Sequence, residues 1–385
     1  MGLLHRGMTV TVYEQAADFH EIGAGFAFTG VARRCMESLN PSILEAFRRI
    51  GDENKHPQNR YWDGFNPQTK QESESEEDSL LFQLSTRDMA YWGCLRSHFL
   101  DELAKEMPEG IVQFKKTLQD LVDDEDGNGV TLYFTDGSEA KHEVVVPIEG
   151  GIAALGEEKA KNQCMHMGPD SHMLTYPLAN WTLLNIVVFL TDPSAWDSSS
   201  AMTAPGSKAE VVKTFSTWSP AVKAVVDLLP EDLVKWAIFD MAEHPAPTYA
   251  YGRVCLAGDA AHASSPHHGA GAGAGVEDAL ALVTALESLS VRMRSGDGGT
   301  LKGREKAQAI ANVLQAYSDV RYERTQWLVR SSRETGNIYQ WAYPEAGRDA
   351  AKCKAQVESR TRIIWDFDVQ AMVAQVKERV GLLSR

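Results

Sequence analysis

Apolar and polar positions alternate or recur at helical spacing over most of the chain, and the repeat predicts the elements. Thr9 to Tyr13 alternates as a strand that Glu14 closes. Val112 to Phe134 gives two strands joined through Asp123-Asp-Glu-Asp-Gly-Asn-Gly129, and a turn at Asp136-Gly137 leads on to the strand Val144-Val-Val146. From Met165 the pattern is an antiparallel meander. His172 to Leu178 and Leu183 to Leu190 are its strands, and Gly168-Pro-Asp-Ser171 is a turn with proline at its favoured position. Because strand side chains alternate, His172, Leu174 and Tyr176 are expected on one face. Helical spacing follows Leu95-Arg96-Ser97 (Phe99, Leu100, Leu103, Met107) and returns at Lys208 to Leu229, Val276 to Leu289, Glu305 to about Arg333, and Ile363 to Leu383. Strands are also predicted at Trp236 to Met241 and, buried, at Val254 to Ala257. Gly2 to Gly7 reads as the end of a helix closed by glycine. Arg60 to Leu84, with Gly64, Pro67 and the acidic run from Glu72 to Asp78, reads as a solvated surface excursion between strands.

Composition narrows the class of protein. The chain of 385 residues is long enough for two domains, and 43% hydrophobic with 24% charged residues is ordinary for a globular protein. A formal charge of −15 and a pI near 5.2 argue against nucleic acid or an anionic membrane surface as partner. Five widely spaced cysteines without a Cys-x-x-Cys pair indicate neither a disulfide framework nor a zinc site, which fits a cytoplasmic location. No apolar run reaches the roughly 18 residues of a membrane span, and the start of the chain lacks an apolar core of signal-peptide length. The last helix offers a packing or dimerisation surface, consistent with a monomer or homodimer.

One stretch, Arg253 to Leu280, joins an apolar strand, a glycine-rich turn and an amphipathic helix without a gap. Glycines at 269, 271, 273 and 275 let the backbone approach a ligand closely, and the free amides and dipole of a helix start favour negative charge. Asp259 at the strand's end can accept hydrogen bonds from sugar or ribityl hydroxyls. A flexible linker is rarely so tightly bracketed, and a P-loop is excluded because no Lys-Ser or Lys-Thr follows the glycines. His262, His267 and His268 lack a cysteine or carboxylate at ligand spacing, so no metal is expected.

Gly258-Asp259-Ala-Ala-His262, Pro266, Gly269-Ala-Gly-Ala-Gly273 and Glu277-Asp278-Ala279 together resemble the second FAD-binding motif of the class A flavoprotein aromatic hydroxylases, in particular their salicylate hydroxylase-like branch. The resemblance implies an α/β fold of the FAD/NAD(P)-binding type, glutathione reductase-like and para-hydroxybenzoate hydroxylase-like, with an interleaved β-sheet substrate domain and C-terminal helices. It divides the chain into an FAD-binding domain at 1–146 and 248–290, a substrate domain at 147–247, and a helical region at 291–385. In the family the aspartate (here Asp259) holds the ribityl chain and the proline (Pro266) lies beside the flavin's reactive face. The loop amides, here around Gly258, Gly269, Gly271, Ala272 and Gly273, face the flavin. The resemblance also assigns Glu14 to a ribose hydroxyl, Gly23 and Gly25 to a loop over the flavin, and Arg96 to FAD. His172-x-x-x-Tyr176-Pro177 matches the strand whose side chains meet the phenol, and His268, where relatives often carry Gln, would assist. Tyr317, Arg321 and Arg324 resemble the family too, although arginines on a helix usually form its wet face.

The implied reaction is NAD(P)H- and O2-dependent hydroxylation of a small, electron-rich phenol on FAD, with salicylate-like compounds or aromatic polyketides of secondary metabolism as substrates. Against it stands the lack of the family's first strand with its Gly-x-Gly-x-x-Gly turn, and of the Asp-Gly motif and Tyr-Arg-Gly strand expected after Val146. Without the helix start that neutralises the FAD pyrophosphate, the chain is expected to bind FAD poorly and not to be a competent hydroxylase. Two other readings therefore stay open: an inactive relative, and a flavin-dependent oxidoreductase that does not hydroxylate.

Overall fold

The computed structural model describes all residues except 15–24, 55, 57, 66–78, 87–90, 124–129, 136–144, 156, 179–181, 193, 195, 197–201, 295–300 and 384–385. Its largest sheet has six strands, in the order Val145–Pro147, Leu183–Leu190, Ser171–Leu178, Cys164–Gly168, Gln58–Asp63 and Leu80–Ser85. The predicted meander forms its middle. Register places His172 opposite Phe189, Leu174 opposite Val187 and Tyr176 opposite Asn185.

Alternation then sorts the two faces. Met173 and Leu184 pack with Val211 and Val222 from the helices Lys208–Thr214 and Pro220–Asp227 and with Phe215 and Trp218 from the turn between them. An added Cβ at Gly168 would lie 2.3 Å from Trp218, so the glycine is what admits the indole. Leu174, on the opposite face, joins Tyr61 and Met165 against Ile338 and Tyr339 of the long helix Gly303–Tyr339.

Several expectations are corrected here. The bounds Arg60 to Leu84 are too wide for the excursion between strands, since Gln58–Asp63 and Leu80–Ser85 are themselves strands with Tyr61, Trp62, Phe82 and Leu84 buried. Pairing with Cys164–Gly168 is parallel and non-local, which local alternation does not reveal. The sheet thus draws strands from both sides of the division expected at residue 146. Lys208 to Leu229 is two helices, because Ser219 caps a new start and Pro220 occupies its first turn. The strand expected from Trp236 lies earlier, at Asp232–Trp236, paired with Thr203–Ser207. At the C-terminus, Ala350–Trp365 precedes Val369–Leu383, the break marked by Asp368 Oδ1 accepting from Ala371 N–H.

The second layer is helical. Gly30–Leu39, Gly271–Arg294, Gly303–Tyr339 and Val369–Leu383 share a core that includes Met36, Leu280, Val313 and Val376 beside Phe28 and Phe47. Smaller sheets border it: Gly25–Phe28 with Trp92–Leu95 and Asp52–Glu53, and the parallel pair Val12–Tyr13 with Val112–Gln113. Gly7, at φ +73, ends the first helix as expected. Val254–Cys255 pairs only with Ala250–Tyr251 among the described residues, and Leu256 is 37% exposed. One paired edge leaves this strand half-buried, not buried.

Candidate active site

The loop after Val254–Cys255 takes shape from its glycines. Gly258 has φ +59, a region that strains any other residue, and its N–H donates to Asp278 Oδ2 at 2.9 Å. Asp259, exposed, opens the short helix Asp259–His262. Pro266–His268 forms one 3-10 turn, which Gly269 closes at φ +58. The following helix begins at Gly271, ahead of the predicted Val276. Packing does not demand glycine within it: an added Cβ would make only ordinary contact, 3.6 Å from Ala32 Cβ at Gly273 and 3.7 Å from Gly258 Cα at Gly275.

A buried ionic network anchors this loop to the helices. Asp278 accepts from His262 Nε2 at 2.6 Å and from Arg321 Nε at 2.7 Å, and both Asp278 and Arg321 are fully buried. Arg321 also pairs with Glu277 at 2.8 Å, which Arg324 grips in a fork at 2.8 and 2.9 Å. Burial pushes the Glu277 and Asp278 carboxyls up, but the arginines on Glu277, and His262 with Arg321 on Asp278, hold both below the ordinary carboxylate value. Tyr317 Oη donates to the Leu256 carbonyl at 2.9 Å. The sequence carried a signal for this network: Tyr317, Arg321 and Arg324 share one helix face at i, i+4 and i+7. Arg321 lies in the core, not on the wet face expected of a helical arginine.

Across from the loop stands the face of the large sheet that carries His172 and Tyr176, and between them lies a cavity of about 1750 Å³. Single small-ligand pockets run to ~300–1,000 Å³, so there is room for a cofactor and a substrate together. Asp259, Pro266, Gly269 and Gly25 line it together with His172, Leu174 and Tyr176, so the shared face inferred from alternation is the cavity face. Tyr176 Oη reaches across to donate to the Gly25 carbonyl at 3.2 Å.

His172 is fully buried, stacked on Phe189 at 4.3 Å between ring centroids, and neither ring nitrogen has a hydrogen-bond partner among the described residues. Burial first, and His267 second, hold its pKa well below the ordinary value, so the ring stays neutral. His267, which the sequence reading left without a role beyond excluding metal, also lines the cavity 5.1 Å from His172, and burial lowers its pKa to about 4.

Other candidates stand elsewhere. His268 lines the cavity, but its Nε2 is shared between Ser331 at 2.9 Å and Thr335 at 3.2 Å, and burial lowers its pKa to about 3. Its ring is therefore committed to the long helix. Glu14, Arg96, Gly258, Gly271, Ala272 and Gly273 do not line this cavity, and Gly23 lies outside the described residues. Among the described residues no three His, Cys, Asp or Glu side chains converge as metal ligands, and no helix is long and apolar enough to cross a membrane.

The residues present fit the flavin end of FAD. Gly269 presents a left-handed, side-chain-free turn whose added Cβ would meet only Tyr91, at 3.8 Å, and the helix start behind it supplies free amides. Such a loop, set across a large cavity from the sheet face that carries His172 and Tyr176, suits a flavoprotein of the oxidoreductase class. Comparison with known proteins agrees. A family model described as FAD binding domain matches residues 209–299. An FAD-dependent monooxygenase of Aspergillus terreus is 47% identical over 98% of this chain and 93% of its own length. A salicylate hydroxylase of Sarocladium schorii is 38% identical over 99% of this chain and 88% of its own length. A solved salicylate hydroxylase substrate complex superposes with a TM-score of 0.77 at 27% identity, covering 97% of this chain and 93% of the other. The chain belongs to the FAD-dependent monooxygenases.

The alignment with the Aspergillus terreus relative spans 414 positions against 385 residues here, so at least 29 of them have no counterpart in this chain. At the point where the sequence reading misses the Asp-Gly motif, the strand Val145–Pro147 runs directly into the helix Ile148–Leu155.

Proposed function

We propose that this protein hydroxylates a phenolic, salicylate-like aromatic with NAD(P)H and O2. The observation that carries the reading is that Tyr176 and His172 share the cavity wall facing the Asp259–Gly269 loop. FAD, when bound, supplies electron transfer from NAD(P)H to O2 and delivery of one oxygen atom. The protein's part is to hold the phenol and manage its proton. Tyr176 orients the hydroxyl, and neutral His172 offers an acceptor nitrogen, since a phenolate is the stronger nucleophile. Asp259 would anchor the ribityl chain, Pro266 and Gly269 would border the ring from the cavity wall, and the helix-start amides at Gly271, Ala272 and Gly273, behind that wall, would favour the charge that reduction brings. His268 positions the loop through Ser331 and Thr335. Glu14 would meet a ribose hydroxyl of FAD, Arg96 would reach the cofactor, and Gly23 with Gly25 belongs to the loop over the flavin. Five free cysteines suit the reducing cytosol, which we assign as its location.

Purified protein supplied with excess FAD is expected to oxidise NAD(P)H faster when salicylate is added and to yield a dihydroxybenzoate. NAD(P)H consumption without an oxygenated product would instead mark a flavin oxidoreductase that does not hydroxylate. Asp259→Ala is expected to weaken FAD binding at least about tenfold, as loss of hydrogen bonds to a charged acceptor implies. Titration of FAD followed by flavin fluorescence reads this directly, and an unchanged Kd would remove Asp259 from the site.

A further inference from the structure

Tyr176 has a direct cross-strand partner, Asn185, whose side chain leaves the sheet on the same face and lines the cavity. Asn185 is 4% exposed, and its Nδ2 has no hydrogen-bond partner among the described residues. A buried amide left this way is rare in a native fold, because water that would have satisfied it is excluded and nothing replaces it. The next row along the sheet, Leu174 and Val187, is apolar and offers it no acceptor. The orphaned amide therefore sits where a ligand would lie against Tyr176.

We propose that Asn185 determines specificity, its amide donating to an sp2 oxygen, a carboxylate or a ketone, carried by the phenol whose hydroxyl Tyr176 meets. This rests on the phenol-hydroxylase reading above. An amide N–H is a donor only, so its partner on the ligand is an acceptor; a plain phenol, its single oxygen held at Tyr176, carries no second oxygen to meet it. Directly opposed strand residues hold their Cβ atoms ~4.5–5.5 Å apart, a separation that two substituents of one aromatic ring can serve. A site built to bond a substrate oxygen rejects the analogue that lacks it, since the amide is then buried unpaired.

Isothermal titration of the FAD-loaded protein with salicylate, 2-hydroxyacetophenone and phenol tests the proposal in wild type, Asn185→Leu and Asn185→Asp. Asn185→Leu is expected to weaken salicylate by about tenfold to a hundredfold and the ketone by about threefold to tenfold, leaving phenol within about twofold. Asn185→Asp places a like charge beside the carboxylate and should abolish salicylate binding while sparing phenol. In the ligand-free protein Asn185→Leu should melt at the wild-type temperature or above it, because it removes a polar group that the fold leaves unbonded. Equal weakening of all three probes by Asn185→Leu, or a melting temperature lower by more than about 4 °C, would overturn the proposal and leave the phenol reading intact. If wild type binds none of the three, the phenol reading itself fails and this inference falls with it.

Discussion

Arg321→Met is expected to destabilise the protein by about 3–5 kcal/mol, the loss that follows when one partner of a buried ion pair is removed and the other stays. Here two carboxylates would each lose a buried charged partner. Asp278 and Glu277 are 0% and 4% exposed, and Arg324 reaches only Glu277. Asp278 would keep His262 and the Gly258 amide, which cannot match a guanidinium. The methionine stem preserves much of the packing, so the loss reads charge and not volume. Chemical denaturation gives the number, and a loss under about 1 kcal/mol would mean that the network is no more than a surface pair. Arg333, bonded to Asp240 and Glu243 but 43% exposed at its side chain, is the contrast: Arg333→Met should cost little. Because Asp278 holds Gly258 by its amide, Arg321→Met should also lower FAD affinity without touching the cavity wall.

Tyr176→Phe is expected to lower the hydroxylation rate about 100-fold while leaving flavin content unchanged, the effect of losing the hydroxyl that orients the phenol for proton transfer to His172. Its hydroxyl is the part of the cavity wall that reaches across to Gly25, so the substitution removes a polar contact and keeps the ring. For His172 the informative variant is phenylalanine. His172→Ala would open a void beside Phe189 and mix a packing loss into the result. His172→Phe keeps the stack and sacrifices only two nitrogens that have no partner, so the rate should drop without a loss of stability. Since burial keeps His172 neutral well below its ordinary pKa, the wild-type rate should not fall from its protonation as pH is lowered to about 6.5. A Tyr176→Phe variant with the parent rate would return this face to ordinary sheet surface.

Where one local rule decides, the sequence was readable. Alternation over His172 to Tyr176 put three side chains on one face, and that face borders the cavity. The glycine-rich turn between Val254 and Leu280 was legible because glycine, helix start and strand end coincide. What escaped depends on distant partners. Tyr61 and Trp62 are buried only because Cys164–Gly168 pairs beside them, a hundred residues away in the chain. Arg321 looked solvated because its two carboxylates lie on another helix. The half-exposed Val254–Cys255 strand shows the converse, an apolar run whose burial needs neighbours on both edges. Asn185 was invisible for a further reason: an unbonded amide can be seen only once every possible partner has been placed.

The most direct measurement is turnover of the FAD-supplied protein with salicylate and NAD(P)H under ¹⁸O2, with the product read by mass spectrometry. A dihydroxybenzoate carrying one ¹⁸O atom, formed by wild type and lost in Tyr176→Phe, is the expected result. Hydrogen peroxide alone, produced at the same rate with and without any phenol or acyl-phenol, would contradict the assignment of this cavity to aromatic hydroxylation.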